Sequence, residues 1–537
     1  MAAPAVSLEP VVTSSQRDTD SPRFTVLWRS FAAVAAGSLV FLAVPPRPTW
    51  WLAPLGFAVL GCLLHGRRAR VGLGYGVLFG LGFITPLLAW AGEFVGVIAW
   101  LPLSLLQALL IALACAAISV VSRLRAWVLW AALLWVAGEA LRSVVPFGGF
   151  PWAKLAFGQP DGLYLPLAAL GGTPLIAFAV TLTGFGLGEF ARRTFYRLAR
   201  RAIPALGVVV PLLAAVAAIP LVGTDPQAGE VTVAAVQGNV PRAGLDFNSQ
   251  RRAVLDNHVK RTEELAADVR AGTVARPELV VWPENASDID PFRNPDAATR
   301  IDAVAKDIGV PIALGAVLVG SDRRPRNVVI LWDPVRGPID QYTKRQLQPF
   351  GETMPMRSFF RLFSAAVDRA NNFVPGDEPT VFSVGDTRLA PVTCYEVAFD
   401  DVVRESVLAG ANLLAVPTNN ATFGRTEMTY QQLAMDQVRA VEHGRSVIVA
   451  ATSGVSAIIR PDGTVTQRTE LFTPAVLVER IPLRSATTMA DRLGAWPERA
   501  MVLAGLAALV LALVAGRRER ATEANGATER VDPDEVG

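Results

Sequence analysis

Charge is what this chain has least of for its length. Of 537 residues only 18% are Asp, Glu, Lys or Arg, against 52% hydrophobic, where a soluble protein carries roughly 25% charge. That deficit excludes an ordinary soluble multidomain protein, and the mean hydropathy of +0.37 agrees. Cysteine and histidine are scarcer still, at three each. Cys62 and Cys115 lie inside long apolar runs and Cys394 stands alone in the polar part, so no disulfide framework is available. His65, His258 and His443 are widely separated, and no cluster has metal-ligand spacing. Neither a metal nor a cofactor is expected. The net charge is only +3, and the arginines sit in short loops, so no nucleic-acid partner is expected either.

What is present is apolar sequence in blocks. Runs cover about 26–45, 50–64, 71–90, 94–121, 127–141, 163–190 and 203–222, with an eighth at 500–516. A spanning helix needs about 20 apolar residues. The second and fifth runs are short by that measure. Loop charge alternates. Arg67, Arg68 and Arg70 follow the second run, Arg123 and Arg125 the fourth, Arg192 to Arg201 the sixth, and Arg517, Arg518 and Arg520 the eighth. The intervening loops are nearly bare. Eight spans with both termini in the cytoplasm satisfy this pattern. The expected organisation is a disordered cytoplasmic lead (1–24), seven spans (25–223), an extracytoplasmic domain (224–490), a closing span (491–516) and a cytoplasmic tail (517–537). The membrane is thus a partner, and the location is a bacterial cell (inner) membrane. The loop 142–162 is glycine-rich and aromatic, and reads as interfacial.

The insert alternates strand-like and helix-like segments. Glu230–Gln237, 277–284, 310–319, 327–332, 391–394, 412–417 and 446–451 read as strands, with helices over 249–271, 297–308, 400–409 and 427–443. Near-continuous apolar strands alternating with helices predict an α/β sheet covered by helices. Ligands gather at the carboxyl ends of strands in such sheets. Three ionisable groups sit at or just past such ends: Glu284 in Val-Val-Trp-Pro-Glu, Lys344 after Asp-Gln-Tyr-Thr, and Cys394 after Pro-Val-Thr. Alone, each reads as an ordinary loop or core residue. Together they supply a base, a cation and a nucleophile. The thiolate attacks a carbonyl, the carboxylate moves the proton, and the ammonium lowers the thiol pKa and stabilises the oxyanion.

At this point the residues resemble a known family. Trp282-Pro-Glu284, Lys344 with Pro349-Phe-Gly-Glu352, and Cys394-Tyr-Glu396 are similar to the Glu-Lys-Cys motifs of the nitrilase superfamily. With the spans, Phe150-Pro-Trp152, Gln237-Gly-Asn239, Thr418-Asn-Asn420 and 439–445 (Arg-Ala-Val-Glu-His-Gly-Arg), the chain resembles the apolipoprotein N-acyltransferases over nearly its whole length. The resemblance implies a nitrilase-like αββα sandwich inserted between transmembrane helices in an eight-helix membrane domain. It implies transfer of an acyl chain from a phospholipid, through a cysteine thioester, to the amino group of a diacylglyceryl-apolipoprotein. By it, Glu284 is the base, Lys344 the oxyanion partner and Cys394 the nucleophile. Glu352, Glu396, Tyr395 and Asn327 are supporting residues, and Trp152, Trp282, Phe359 and Phe360 are substrate-contacting candidates. Thr422 stands near a position where the family often has an aromatic residue. The stretch from Thr353 to Phe373, rich in Met and Phe, reads as an amphipathic arm dipping to the bilayer. Two other readings are a membrane-anchored amidase and a scaffold for a polyprenol-phosphate glycosyltransferase, with a polyprenol-phosphate mannosyltransferase as its partner. The intact Glu284, Lys344 and Cys394 argue against a purely structural role, and a single anchor would suffice for an amidase.

Overall fold

The computed structural model describes residues 22–241, 250–362, 367–368 and 372–528. Residues 1–21 of the expected lead, 529–537 of the tail, and 363–366 and 369–371 of the expected arm, Phe363 among them, lie outside the described residues.

Seven helices precede the insert: α1 (Pro22–Leu42), α2 (Leu52–Leu64), α3 (Ala69–Leu87), α4 (Val97–Val121), α5 (Trp127–Arg142), α6 (Ala168–Phe195) and α7 (Ala202–Ala218). Each covers one apolar run. Their outer faces keep large side chains exposed, such as Leu101, Leu105, Leu109 and Leu113 on α4, a stripe suited to lipid. Their inner faces use small residues. A Cβ at Gly37 would sit 2.0 Å from the Phe79 carbonyl oxygen, so α1 and α3 approach backbone to backbone.

The insert begins with β1 (Glu230–Gln237), α8 (Arg251–Ala271), β2 (Leu279–Val281) and α9 (Pro295–Ile308). It continues through β3 (Ile312–Val319), β4 (Pro325–Asp333), β5 (Gly337–Thr343) and a single helical turn, α10 (Arg357–Phe360). The second half holds β6 (Phe382–Val384), β7 (Thr387–Pro391), α11 (Asp400–Leu408), β8 (Leu413–Thr418), α12 (Met428–His443), β9 (Ser446–Ala451), β10 (Ala457–Ile459), β11 (Val465–Arg468) and β12 (Ala475–Pro482). A short α13 (Met489–Leu493) leads into α14 (Trp496–Thr528), which carries on through part of the charged tail. Six of the eight apolar helices are long and apolar enough to cross a membrane. The other two are α2 and α5, of 13 and 16 residues, on the runs that read short.

Two six-stranded sheets form, in the orders β12-β1-β2-β3-β4-β5 and β11-β10-β9-β8-β7-β6. Each has a parallel centre flanked by antiparallel strands. Strand alternation divides the core. Val233, Ala235 and Val281 face Leu413, Ala415 and Ile448 across the sandwich. Ala234, Val236 and Val280 face the helices α8 and α9. The outer face of the second sheet, with α11 and α12, joins the membrane helices in one continuous apolar core. The architecture is therefore an αββα sandwich with one helical layer seated on the membrane domain.

Candidate active site

Glu284 lies three residues past β2. Its approach to β3 depends on a missing side chain: a Cβ at Gly315 would sit 2.3 Å from the Pro283 carbonyl oxygen and 2.6 Å from the Glu284 Cα. Lys344 directly follows β5, and its backbone N–H donates to the Asn327 carbonyl on β4 at 2.9 Å. The Lys344 Nζ then stands 2.9 Å from Glu284 Oε1 and 2.9 Å from Glu352 Oε2. Asn327 Nδ2 bridges the same carboxylates, donating to Glu284 Oε1 at 2.7 Å and Glu352 Oε1 at 2.8 Å. The second oxygen of Glu284 accepts from the Asn419 backbone N–H at 3.1 Å. Glu284, Lys344 and two of the supporting candidates thus form one cluster, with Glu352 at its partly buried edge. Burial alone would lower the Lys344 pKa. Glu284 and Glu352 overcome it and hold the ammonium charged well above its ordinary range.

Cys394 is not the last residue of a strand, as its sequence suggested. β7 stops at Pro391, and Cys394 opens a tight 3₁₀ turn, Cys394–Ala398. Its φ is +52°, in the left-handed region that costs a non-glycine residue about 1–3 kcal/mol. The Thr418 hydroxyl and the Asn419 N–H at the end of β8 both act on its sulfur. Lys344 lowers the thiol pKa, as expected, but other influences outweigh it. Burial, and next the Glu284 charge, push it up to about 12, against which Lys344 pulls only partly. The resting group is a thiol, so attack requires a base at the moment of reaction.

The turn is held from several sides. Glu396 reaches back to the Thr393 N–H at 2.7 Å and also accepts from the Arg345 N–H at 2.7 Å and the Gln346 N–H at 3.0 Å. Tyr342 donates to both of its oxygens, at 2.7 and 2.8 Å. One carboxylate therefore ties the segment carrying Lys344 to the turn carrying Cys394. Tyr395 points away from the thiol. Its ring stacks on Trp152 and Phe150 of the loop between α5 and α6, and its hydroxyl donates to the Gly149 carbonyl at 3.3 Å.

Two of the substrate-contact expectations are corrected. Trp282 is fully buried, its indole donating to the Thr262 hydroxyl at 3.0 Å and its ring beside His258. It faces α8, away from Glu284. Trp152 is buried as well. It donates to Gln431 Oε1 at 2.8 Å and braces Tyr395, so it supports the turn and offers no free face. Phe359 and Phe360 lie elsewhere, in the short helix α10. They form an edge-packed cluster with Phe350 and Phe147, bringing the 350–360 stretch against the membrane loop, and Phe359 stays half exposed. Beside Thr422, Phe423 packs edge-on against Trp90 at 5.1 Å.

Sequence reasoning assigned no role to Asn419, Tyr342 or Arg439. The stretches Thr418-Asn-Asn420 and 439–445 carried two of them as motif letters without a partner. Tyr342 had no signal beyond its place at a strand end.

A sandwich of this form, with glutamate, lysine and cysteine gathered past the ends of β2, β5 and β7 from its two sheets, defines a nitrilase-superfamily domain built onto membrane helices. Residues 232–491 match the carbon-nitrogen hydrolase family and residues 36–186 match the apolipoprotein N-acyltransferase N-terminal domain. The apolipoprotein N-acyltransferase of Mycolicibacterium smegmatis is 45% identical over 505 residues, covering 90% of this chain and 85% of its own. That of Azotobacter vinelandii is 33% identical over 522 residues (91% and 95%), and that of Photobacterium profundum 28% over 527 (92% and 96%). The chain belongs to the apolipoprotein N-acyltransferase family.

Proposed function

We propose that this protein takes an acyl chain from a phospholipid onto Cys394 and passes it to the α-amino group of an S-diacylglyceryl-cysteine at the N-terminus of an apolipoprotein. The observation that carries the reading is the Lys344 ammonium 2.9 Å from Glu284, in the same buried cluster as Cys394, on a sandwich seated against membrane helices. As the sulfur attacks the ester carbonyl, Glu284 accepts the thiol proton. Lys344 faces the developing oxyanion. The carbon–oxygen bond breaks, Glu284 returns the proton to the departing lysophospholipid oxygen, and a thioester remains. In the second half the lipopeptide amine attacks the thioester, Glu284 takes the amine proton, and the thiol is regenerated. The order is ping-pong, because the thioester must form before the amine can be acylated.

Glu352 and Asn327 hold Lys344 and Glu284 in register, and Phe359 and Phe360 meet acyl chains at the bilayer surface. The catalytic unit, 224–490, lies outside the cytoplasm with both termini inside, which the loop arginines support. The site is at the inner membrane of the bacterial cell. Intact-protein mass spectrometry after incubation with phospholipid tests the reading. The expected result is an added acyl mass, labile to hydroxylamine, absent in Cys394→Ala and discharged onto a diacylated lipopeptide. Release of the acyl group only as free fatty acid would indicate an amidase, and no adduct with any phospholipid would end the proposal.

A further inference from the structure

The nucleophile turn has a second set of partners, remote from the reacting atoms. Arg439 on α12 is fully buried and spends its guanidinium on this turn: Nε donates to the Val397 carbonyl at 2.8 Å and Nη2 to the Ala398 carbonyl at 3.1 Å. Its remaining hydrogen bonds go to acids, Asp400 Oδ1 at 2.7 Å and Glu442. Asp400, at the start of α11, is shared. Lys154 Nζ from the membrane loop meets its other oxygen at 2.5 Å, and the Thr173 hydroxyl donates to it at 3.1 Å.

Thr173 is brought there by a break in a membrane helix. Gly171 and Gly172 leave helical geometry, with φ +69° at Gly172, and a Cβ there would lie 2.6 Å from Glu442 Oε1. The resumed helix starts at Thr173, directing its N-terminal end toward the acids. Lys154, Arg439 and Glu442 are buried, and Asp400 keeps one exposed edge. Burial alone would raise the Asp400 pKa, yet Lys154 and Arg439 hold it below the ordinary carboxylate range. Two cations thus sit on two acids, and a polar route from Lys154 to Cys394 runs Asp400, Arg439, then the carbonyls of the turn.

We propose that Lys154 is a positioning residue for the nucleophile: through Asp400 and Arg439 it sets the 394–398 turn, so that transfer at Cys394 depends on the register between the sandwich and the membrane domain. This rests on the acyl-transfer reading above. Without Lys154, Asp400 is left with Arg439 as its sole cation and draws the guanidinium off the Val397 and Ala398 carbonyls. The turn that carries the left-handed Cys394 then loses two of the contacts that hold it.

The test compares the full-length protein with Lys154→Met, Lys154→Arg and Thr173→Val in phospholipid–detergent micelles, by single-turnover acylation scaled to the folded fraction. At saturating phospholipid, Lys154→Met should acylate about 10²-fold more slowly, the loss that a displacement of about 1 Å produces. The half-saturating phospholipid should stay at the wild-type value, because Lys154 is not a lipid contact in this assignment. Lys154→Arg should restore most of the rate, and Thr173→Val, which removes only a hydroxyl, should show a smaller loss in the same direction. Thr173→Val also decides the matter if Lys154→Met does not fold. Wild-type rates in both variants, or a loss expressed wholly as weaker phospholipid saturation, would overturn the proposal. A wild-type protein that forms no hydroxylamine-labile adduct would overturn the acyl-transfer reading instead.

Discussion

Replacing Lys344 by methionine separates what this residue does for the fold from what it does for the reaction. Its Nζ sits 2.9 Å from two carboxylates, Glu284 and Glu352, and its side chain is 2% exposed. Methionine keeps the length and removes the charge, leaving two acids facing each other with only Asn327 between them. Breaking a buried ion pair by deleting one partner costs about 3–5 kcal/mol. For a domain of this size each kcal/mol lowers the midpoint of unfolding by about 2–4 °C, so Lys344→Met should melt roughly 6–20 °C lower. The reaction should suffer separately, since one lost oxyanion donor costs about 10²–10³ in rate. The double variant Lys344→Met/Glu352→Gln tells the two apart. Neutralising one acid removes the repulsion, so stability should largely return while acylation stays slow. Thermal unfolding in micelles gives the first quantity and single-turnover acylation the second. If the single variant melts with the wild type, or if the double variant recovers rate along with stability, the two roles assigned to Lys344 are wrong.

Two further outcomes follow from the site. Burial first, and the Glu284 charge second, hold the Cys394 thiol up at about 12; Glu284→Gln removes the second cause, so the thiol pKa must fall. The pH midpoint for alkylation of Cys394 by iodoacetamide should move down in that variant while acyl transfer is lost, and an upward shift would contradict the electrostatics described. Trp282→Phe should cost about 1 kcal/mol for the lost hydrogen bond to Thr262 and leave phospholipid saturation unchanged. A changed acyl-chain preference in that variant would restore Trp282 as a substrate contact.

The reactive residues were legible in the sequence because each lies at or just past the end of a strand-like segment, and ligands gather at strand ends in such sheets. Glu284, Lys344 and Cys394 could therefore be named together without knowing the sheet order. Facing was harder. Trp282 and Glu284 are two residues apart, which in a continuing strand would put them on one side. β2 ends at Val281, before both residues, so strand alternation no longer governs them and their side chains find different partners. Tyr395, named as a supporting residue, packs on Phe150 and Trp152 of the membrane loop, a partner its sequence did not indicate. The Lys154–Asp400–Arg439 chain was not legible at all. Lys154 and Asp400 are 246 positions apart, and only the docking of the sandwich on the membrane loop brings them together. The eight apolar helices were legible as apolar runs, whereas the break at Gly171 and Gly172 is hidden inside one of them.

The contacts between the two halves also impose a schedule on biosynthesis. Gln431 bonds Trp90, Trp152 and the Leu87 carbonyl, and Arg47 pairs with Glu427, at separations of 279 to 380 residues. The early loops must therefore wait for segments that leave the ribosome on the order of tens of seconds later. During that interval Lys154 lacks Asp400, and the indoles of Trp90 and Trp152 lack Gln431. A nascent chain halted before α12 is then an unfinished membrane protein with polar groups on show, which is the kind of surface that quality-control proteases and chaperones act upon.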